Sequence, residues 1–92
     1  MLVRIPGLLR SYTADAATVD VDAQAIAPDA RLDDVLRALD RRYPGMRFRI
    51  IDEQDHVRAH IKLFVDGELV RALSTEVGAA RELMIVGARS GG

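Results

Sequence analysis

Hydrophobic positions along the chain switch from a period of two to a helical period and back. Near the start, "L-V-R-I" sets Val3 and Ile5 on one face and Leu2 and Arg4 on the other, which predicts a strand. Pro6 and Gly7 interrupt it. Proline cannot donate to a ladder, so this strand is expected either to bulge there or to have an edge on that side. "A-T-V-D-V-D" (Ala17 to Asp22) alternates again, with Val19 and Val21 inward and Thr18, Asp20 and Asp22 outward. The turn-rich "S-Y-T-A-D-A" between the two predicts an N-terminal hairpin with a loop of moderate length.

A helix follows. Leu32, Val35, Leu36, Leu39 and Tyr43 fall at i, i+3, i+4, i+7 and i+11, a single apolar stripe. Asp29 or Asp33 and Asp34 supply carboxylates that suit the positive end of the helix dipole, and Arg41 and Arg42 suit the other end. Pro44-Gly45 stops it. Four further segments read as extended. "M-R-F-R-I-I" alternates, with Met46, Phe48 and Ile50 on one face; "H-I-K-L-F-V" leads into Asp66-Gly67, a strong hairpin signal; "E-L-V-R" follows that turn; and "E-L-M-I-V-G" comes last. Two strands, one helix and then several strands predict an α+β domain, a mixed four- to five-stranded sheet with one main helix packed on one face. The domain is expected over residues 1–87, with residues 88–92 a flexible tail, because Arg-Ser-Gly-Gly has nothing apolar to bury.

Composition changes this picture mainly by exclusion. The 92 residues are 49% hydrophobic and 29% charged, with a net charge of −1. That balance predicts a soluble, cytoplasmic domain and removes charge-driven partners, both nucleic acid and membrane surfaces. The N-terminal stretch lacks the apolar run and small-residue cleavage site of a signal peptide. Having no cysteine excludes disulfides, thiolate metal sites and a cysteine nucleophile. Lys62 is the only lysine beside twelve arginines, so few amines are available for self-attachment.

Few side chains offer chemistry. His56 and His60 are four apart, but in an extended segment their rings would lie about 13 Å from each other, too far to share a metal ion. "D-E-Q-D" (Asp52 to Asp55) lacks the glycine and spacing of a calcium loop and reads as a solvated turn. Asp33 and Asp34 point about 100° apart on a helix and are no catalytic pair. Ser11, Ser74 and Ser90 have no histidine placed to activate them, and no phosphate-cradling glycine loop is present. Nothing here reads as an enzyme in its own right.

The main-chain carboxylate of Gly92 is then the reactive group to consider. A carboxylate is a poor electrophile until ATP converts it to an acyl-adenylate, open to a sulfur nucleophile. Glycine at positions 91 and 92, without a Cβ, suits passage through a narrow channel in another protein, and Ser90 and Arg89 extend the arm. Composition alone favours a frayed end.

Four segments in order resemble one family. "V-R-I-P-G-L-L-R-S-Y-T" resembles its opening strand and loop, and "L-D-D-V-L-R-A-L-D-R-R-Y-P-G-M-R-F-R" its helix and following turn. "F-V-D-G-E-L-V-R-A-L" is similar to its "F-V-N-G-x-x-V/I-R-x-L" segment, and "E-L-M-I-V-G-A-R-S-G-G" to its last strand and tail. The family is the β-grasp sulfur carriers, ubiquitin-like proteins that include the molybdopterin-synthase small subunit and the thiamine sulfur carrier. There are two departures. "T-E-V-G-A-A-R-E-L" (Thr75 to Leu83) stands where members carry "T-P-L-x-D-G-D-E-V", so that turn is expected to be remodelled. Arg31 stands where a threonine commonly caps the helix, a loss of about 1 kcal/mol unless Asp29 substitutes.

The resemblance implies that Gly92 is adenylated by a ubiquitin-activating-type enzyme, with Gly91 and Ser90 giving access, and is then converted to a thiocarboxylate. A sulfur donor or sulfurtransferase and an acceptor biosynthetic enzyme are the implied further partners. ATP and magnesium belong to the partner, and this chain binds no cofactor or metal. Strand parity adds an expected docking face: Ile61, Leu63, Val65, Leu83 and Ile85 turn inward, leaving Phe64, Met84 and Val86 outward, away from the helix. The alternatives are a ubiquitin-like modifier joined through Gly92 to lysines, and an interaction module with an inert tail.

Overall fold

The computed structural model describes residues 1–21 and 27–88. Its strands are β1 (Leu2–Arg4), β2 (Thr18–Asp20), β3 (Ile61–Val65), β4 (Glu68–Val70) and β5 (Glu82–Gly87), and its helices α1 (Leu32–Arg42) and α2 (Met46–Ile50). The five strands form one mixed sheet in the order β2-β1-β5-β3-β4. β1 is antiparallel to β2, with Val3 opposite Val19, and parallel to β5, with Val3 opposite Leu83. β3 is antiparallel to both β4 and β5. The last strand in sequence therefore lies in the middle of the sheet.

Parity along these strands builds the core. Val3, Val19, Ile61, Leu63, Leu83 and Ile85 are buried on one face, in a single cluster with Leu32, Val35, Leu36 and Leu39 of α1. The helix stripe is where the sequence puts it, and Tyr43 ends it. Asp33 and Asp34 occupy its first turn, one of the two arrangements the sequence offers, and Asp29 does not stand in for the missing cap. The carboxylate at the N-terminus is that of Asp34, whose Oδ2 accepts the Arg31 N–H at 2.8 Å, rather than that of Asp29. The next two backbone donors are also satisfied, Leu32 N–H by the Thr75 carbonyl (2.8 Å) and Asp33 N–H by the Leu73 carbonyl (3.1 Å). Tertiary carbonyls thus do what a capping threonine would have done.

The segment Thr75–Arg81 closes against the loop that precedes α1. Val77 is buried and donates its N–H to Ala30 (2.7 Å), and Arg31 and Glu76 form an isolated bridge. A Cβ on Gly78 would overlap the Pro28 carbonyl, so only glycine fits that approach.

Two expectations fail. "M-R-F-R-I-I" is α2, not a strand: Met46 and Ile50, four apart, are buried on one side of a short helix, and Phe48 is 55% exposed. Asp40 commits the chain to that turn, its Oδ1 accepting the N–H groups of Gly45 (3.1 Å) and Arg47 (3.0 Å). Nor does the first strand bulge or form an edge at Pro6. β1 ends at Arg4, bonded on both sides, and Pro6 leads into a 3-10 helix, Gly7–Thr13, that buries Leu9 and Thr13. Ala14 (φ 51°) and Asp15 (φ 67°) then turn the chain back into β2. The second strand is also shorter than its alternating pattern, spanning Thr18–Asp20.

Candidate functional site

The face of the sheet opposite α1 carries the predicted docking residues. Phe64 lies directly across from Met84, and Lys62 across from Val86. Phe64 and Met84 are half-buried, Val86 is exposed, and none of the three belongs to the core cluster. The structure brings all three onto one surface. It also adds two residues that the sequence reading missed. Leu69 of β4 is opposite Phe64, and Leu2 of β1 shares the same outward parity; both are exposed. The two-residue Asp66-Gly67 turn was the available signal for Leu69, because such a turn fixes which residues of a hairpin oppose each other. Asp66 (φ 48°) and Gly67 (φ 86°) both adopt the left-handed conformation this turn requires.

Charge frames the apolar strip. Arg4 Nε donates to Glu82 Oε1 at 2.9 Å beside Met84. A shallow groove of about 330 Å³ runs between Arg4, Pro6 and Arg10 on one side and Met84 and Val86 on the other, reaching Gly87. It leads to the end of β5, where Ala88 still donates its N–H to the His60 carbonyl at 2.8 Å. The tail residues Ser90, Gly91 and Gly92 lie outside the described residues.

The acidic turn is structural. Asp52 Oδ1 accepts the N–H groups of His56 (3.0 Å) and Gln54 (2.9 Å), and these bonds, led by that from His56, hold its carboxyl below the usual range against a smaller opposing effect of burial. Among the described residues no cluster of three or more His, Asp or Glu is placed to hold a metal ion. No helix among them is long and apolar enough to cross a membrane.

One helix against one face of a mixed five-stranded sheet, with the final strand at its centre, is a ubiquitin-like β-grasp. No protein-family model matches the sequence, and no curated protein matches it significantly. Solved structures do match over nearly the whole chain. A chain of the Amycolatopsis orientalis BexX/CysO complex is 26% identical with a TM-score of 0.82, covering 99% of this chain and 98% of that one. SAMP1 from Haloferax volcanii is 28% identical with a TM-score of 0.80, covering 100% and 98%. Mycobacterium tuberculosis CysO, at 24% identity and a TM-score of 0.79 over 96% and 98%, shares the fold. The resemblance to the sulfur-carrier and ubiquitin-like β-grasp proteins therefore holds in three dimensions.

Proposed function

We propose that the protein is a sulfur carrier whose working group is the carboxylate of Gly92. In this reading a carboxylate oxygen attacks the α-phosphorus of ATP on a ubiquitin-activating-type partner, and pyrophosphate leaves. A sulfur nucleophile, hydrosulfide or its enzyme-bound equivalent, then attacks the acyl-adenylate carbonyl. AMP departs and a thiocarboxylate remains, which an acceptor enzyme consumes in making a sulfur-containing product. ATP and magnesium stay on the partner, in the cytoplasm where ATP is available. The observation that carries the reading is the end-to-end match to the chain of the BexX/CysO complex at 26% identity. The central placement of β5 supports it, because that strand delivers Ala88 to the edge of the domain beside an apolar face. Phe64, Met84 and Val86 are the proposed docking residues for the adenylating partner, and Gly91 and Ser90 pass through its entry channel.

A second reading has its own support. SAMP1, 28% identical, is described as a small archaeal modifier protein, which favours conjugation of Gly92 to lysines of other proteins. Both readings use the same activated tail and differ in the nucleophile that takes it.

The test is adenylation by the ubiquitin-activating-type enzyme of the same organism, with full-length protein and with Gly92 deleted. ATP–pyrophosphate exchange with the first and none with the second is expected, at nearly equal melting temperatures. No exchange with either leaves an inert interaction module. The intact mass of the protein from its native cell separates the remaining two: exchange of terminal oxygen for sulfur marks the carrier, and Gly-Gly remnants on target lysines mark the modifier.

A further inference from the structure

We infer that a groove at the root of β5, distinct from the outer sheet face, docks an acidic segment bearing an aromatic or large aliphatic side chain on the protein that receives the tail. The inference rests on the carrier reading for its partner and on the following geometry for its chemistry. The groove, about 410 Å³, lies between the 3-10 helix, α2 and the residues entering β3, and its walls include Leu8, Tyr12, Phe48, Arg49, Arg58 and His60.

Its two guanidinium groups are held in place by neutral acceptors. Arg49 Nε donates to the Tyr12 hydroxyl at 2.6 Å, and Arg58 Nε donates to the Phe48 carbonyl at 2.7 Å. Arg58 also lies 4.6 Å from the centroid of the Phe48 ring, and Arg49 6.0 Å from that of Tyr12. Among the described residues neither arginine has a carboxylate partner, whereas Arg4 and Arg37 each have one and Arg47 has two. Asp52 is near enough to feel the charge of Arg58, but its carboxylate is occupied by the turn it caps. No Asp or Glu lines the groove. In a protein of net charge −1, this is a local surplus of positive charge fixed by its Nε bonds, with the ends of both forks left for a bidentate acceptor.

The apolar half of the groove specifies more than a bare anion. Among the described residues Phe48 is the most exposed of the large hydrophobics, at 55%, and it forms a platform beneath Arg58. A carboxylate-rich segment with one large apolar residue matches both halves. The location supplies the reason for such contact. Ala88 is bonded to His60, a residue of the groove wall, and Gly87 packs so closely on Leu8 that a Cβ there would overlap it. A protein that takes up the residues beyond Ala88 therefore comes within reach of this rim.

Two measurements test the inference. The first is titration of the ¹⁵N-labelled protein with a synthetic nonapeptide of glutamates around one central tryptophan. Shifts confined to the amides of Tyr12, Phe48, Arg49, Arg58 and His60 are expected, with weaker shifts from the same peptide lacking tryptophan and none from its all-lysine counterpart. The second is the KM for this protein in the adenylation reaction. The double variant Arg49→Gln, Arg58→Gln, and separately Phe48→Ser, should each raise KM about tenfold at low salt with kcat unchanged, the arginine effect fading as salt is added. Melting curves confirm that the variants fold. Unshifted groove amides, or an unchanged KM in both variants, overturns the inference. If the wild-type protein is not adenylated at all, the carrier reading fails, and the titration alone decides the groove.

Discussion

Arg47 of α2 and Asp33 of α1 form an ion pair at 2.9 Å that ties the two helices together. Asp33 also accepts from Arg37, one turn along its own helix, at 2.8 Å. Burial by itself would raise the Asp33 pKa; the hydrogen bonds from Arg37 and Arg47, with their charges, outweigh it and hold the carboxyl below its ordinary value.

The sign of the pH effect follows. A carboxyl depressed in the folded state stabilises the fold above the unfolded value of about 3.9, and that contribution is lost as pH falls through the folded value. Asp33→Asn should cost about 1 kcal/mol at neutral pH, read as a fall in melting temperature of about 5 °C. The gap between variant and wild type should close progressively below pH ~4. A gap independent of pH would remove the ion pair from the explanation.

Phe64 and Leu63 are neighbours on β3 that face opposite ways. Leu63 is fully buried, so Leu63→Ala should destabilise by roughly 2–5 kcal/mol. Phe64→Ala removes cross-strand pairs with Met84 on one side and Leu69 on the other and should cost about 1–2 kcal/mol. The same Phe64 variant should weaken the complex with the adenylating enzyme. Equal losses of stability in the two variants would assign Phe64 to the core.

Gly78 and Gly87 both lie against neighbours, with different tolerance. A Cβ at Gly78 meets the Pro28 backbone, and Gly78→Ala should cost roughly 1–3 kcal/mol. At Gly87 the obstacle is the end of the Leu8 side chain, which can swing aside, so Gly87→Ala should be milder. Chemical denaturation of both variants ranks them.

Asp66 joins the hairpin turn to the start of β5, its Oδ1 accepting the N–H groups of Arg81 (3.1 Å) and Glu82 (3.0 Å). Asp66→Ala leaves those donors without their acceptor, whereas Asp66→Asn keeps one and also tolerates the left-handed backbone. The alanine variant should melt below the asparagine variant, and amide exchange at Glu82 should accelerate in it.

Much of this architecture is legible in the residues where a period repeats often enough. Leu32, Val35, Leu36 and Leu39 sample two turns and admit only a helix, and Asp66-Gly67 leaves the hairpin little choice. The five residues of α2 are too few: Met46 and Ile50 satisfy both a period of two and a separation of four, and the contacts of Asp40 decide between them. The 3-10 helix has no repeat to detect. Of the outer face, Phe64, Met84 and Val86 follow from parity, while Leu2 and Leu69 needed the strand order. The basic groove was hidden for a different reason. Tyr12 and Arg49 are far apart in sequence, and nothing local announces that a hydroxyl of one will fix the guanidinium of the other.

The seating of β5 between β1 and β3 also has a mechanical consequence. Traction along the strand from its C-terminal end opposes two ladders at once, parallel on one flank and antiparallel on the other. Their hydrogen bonds run across the line of pull and so share the load in shear instead of peeling open one by one. A pull on the end of β5 therefore loads three strands together, and the sheet resists it as a unit.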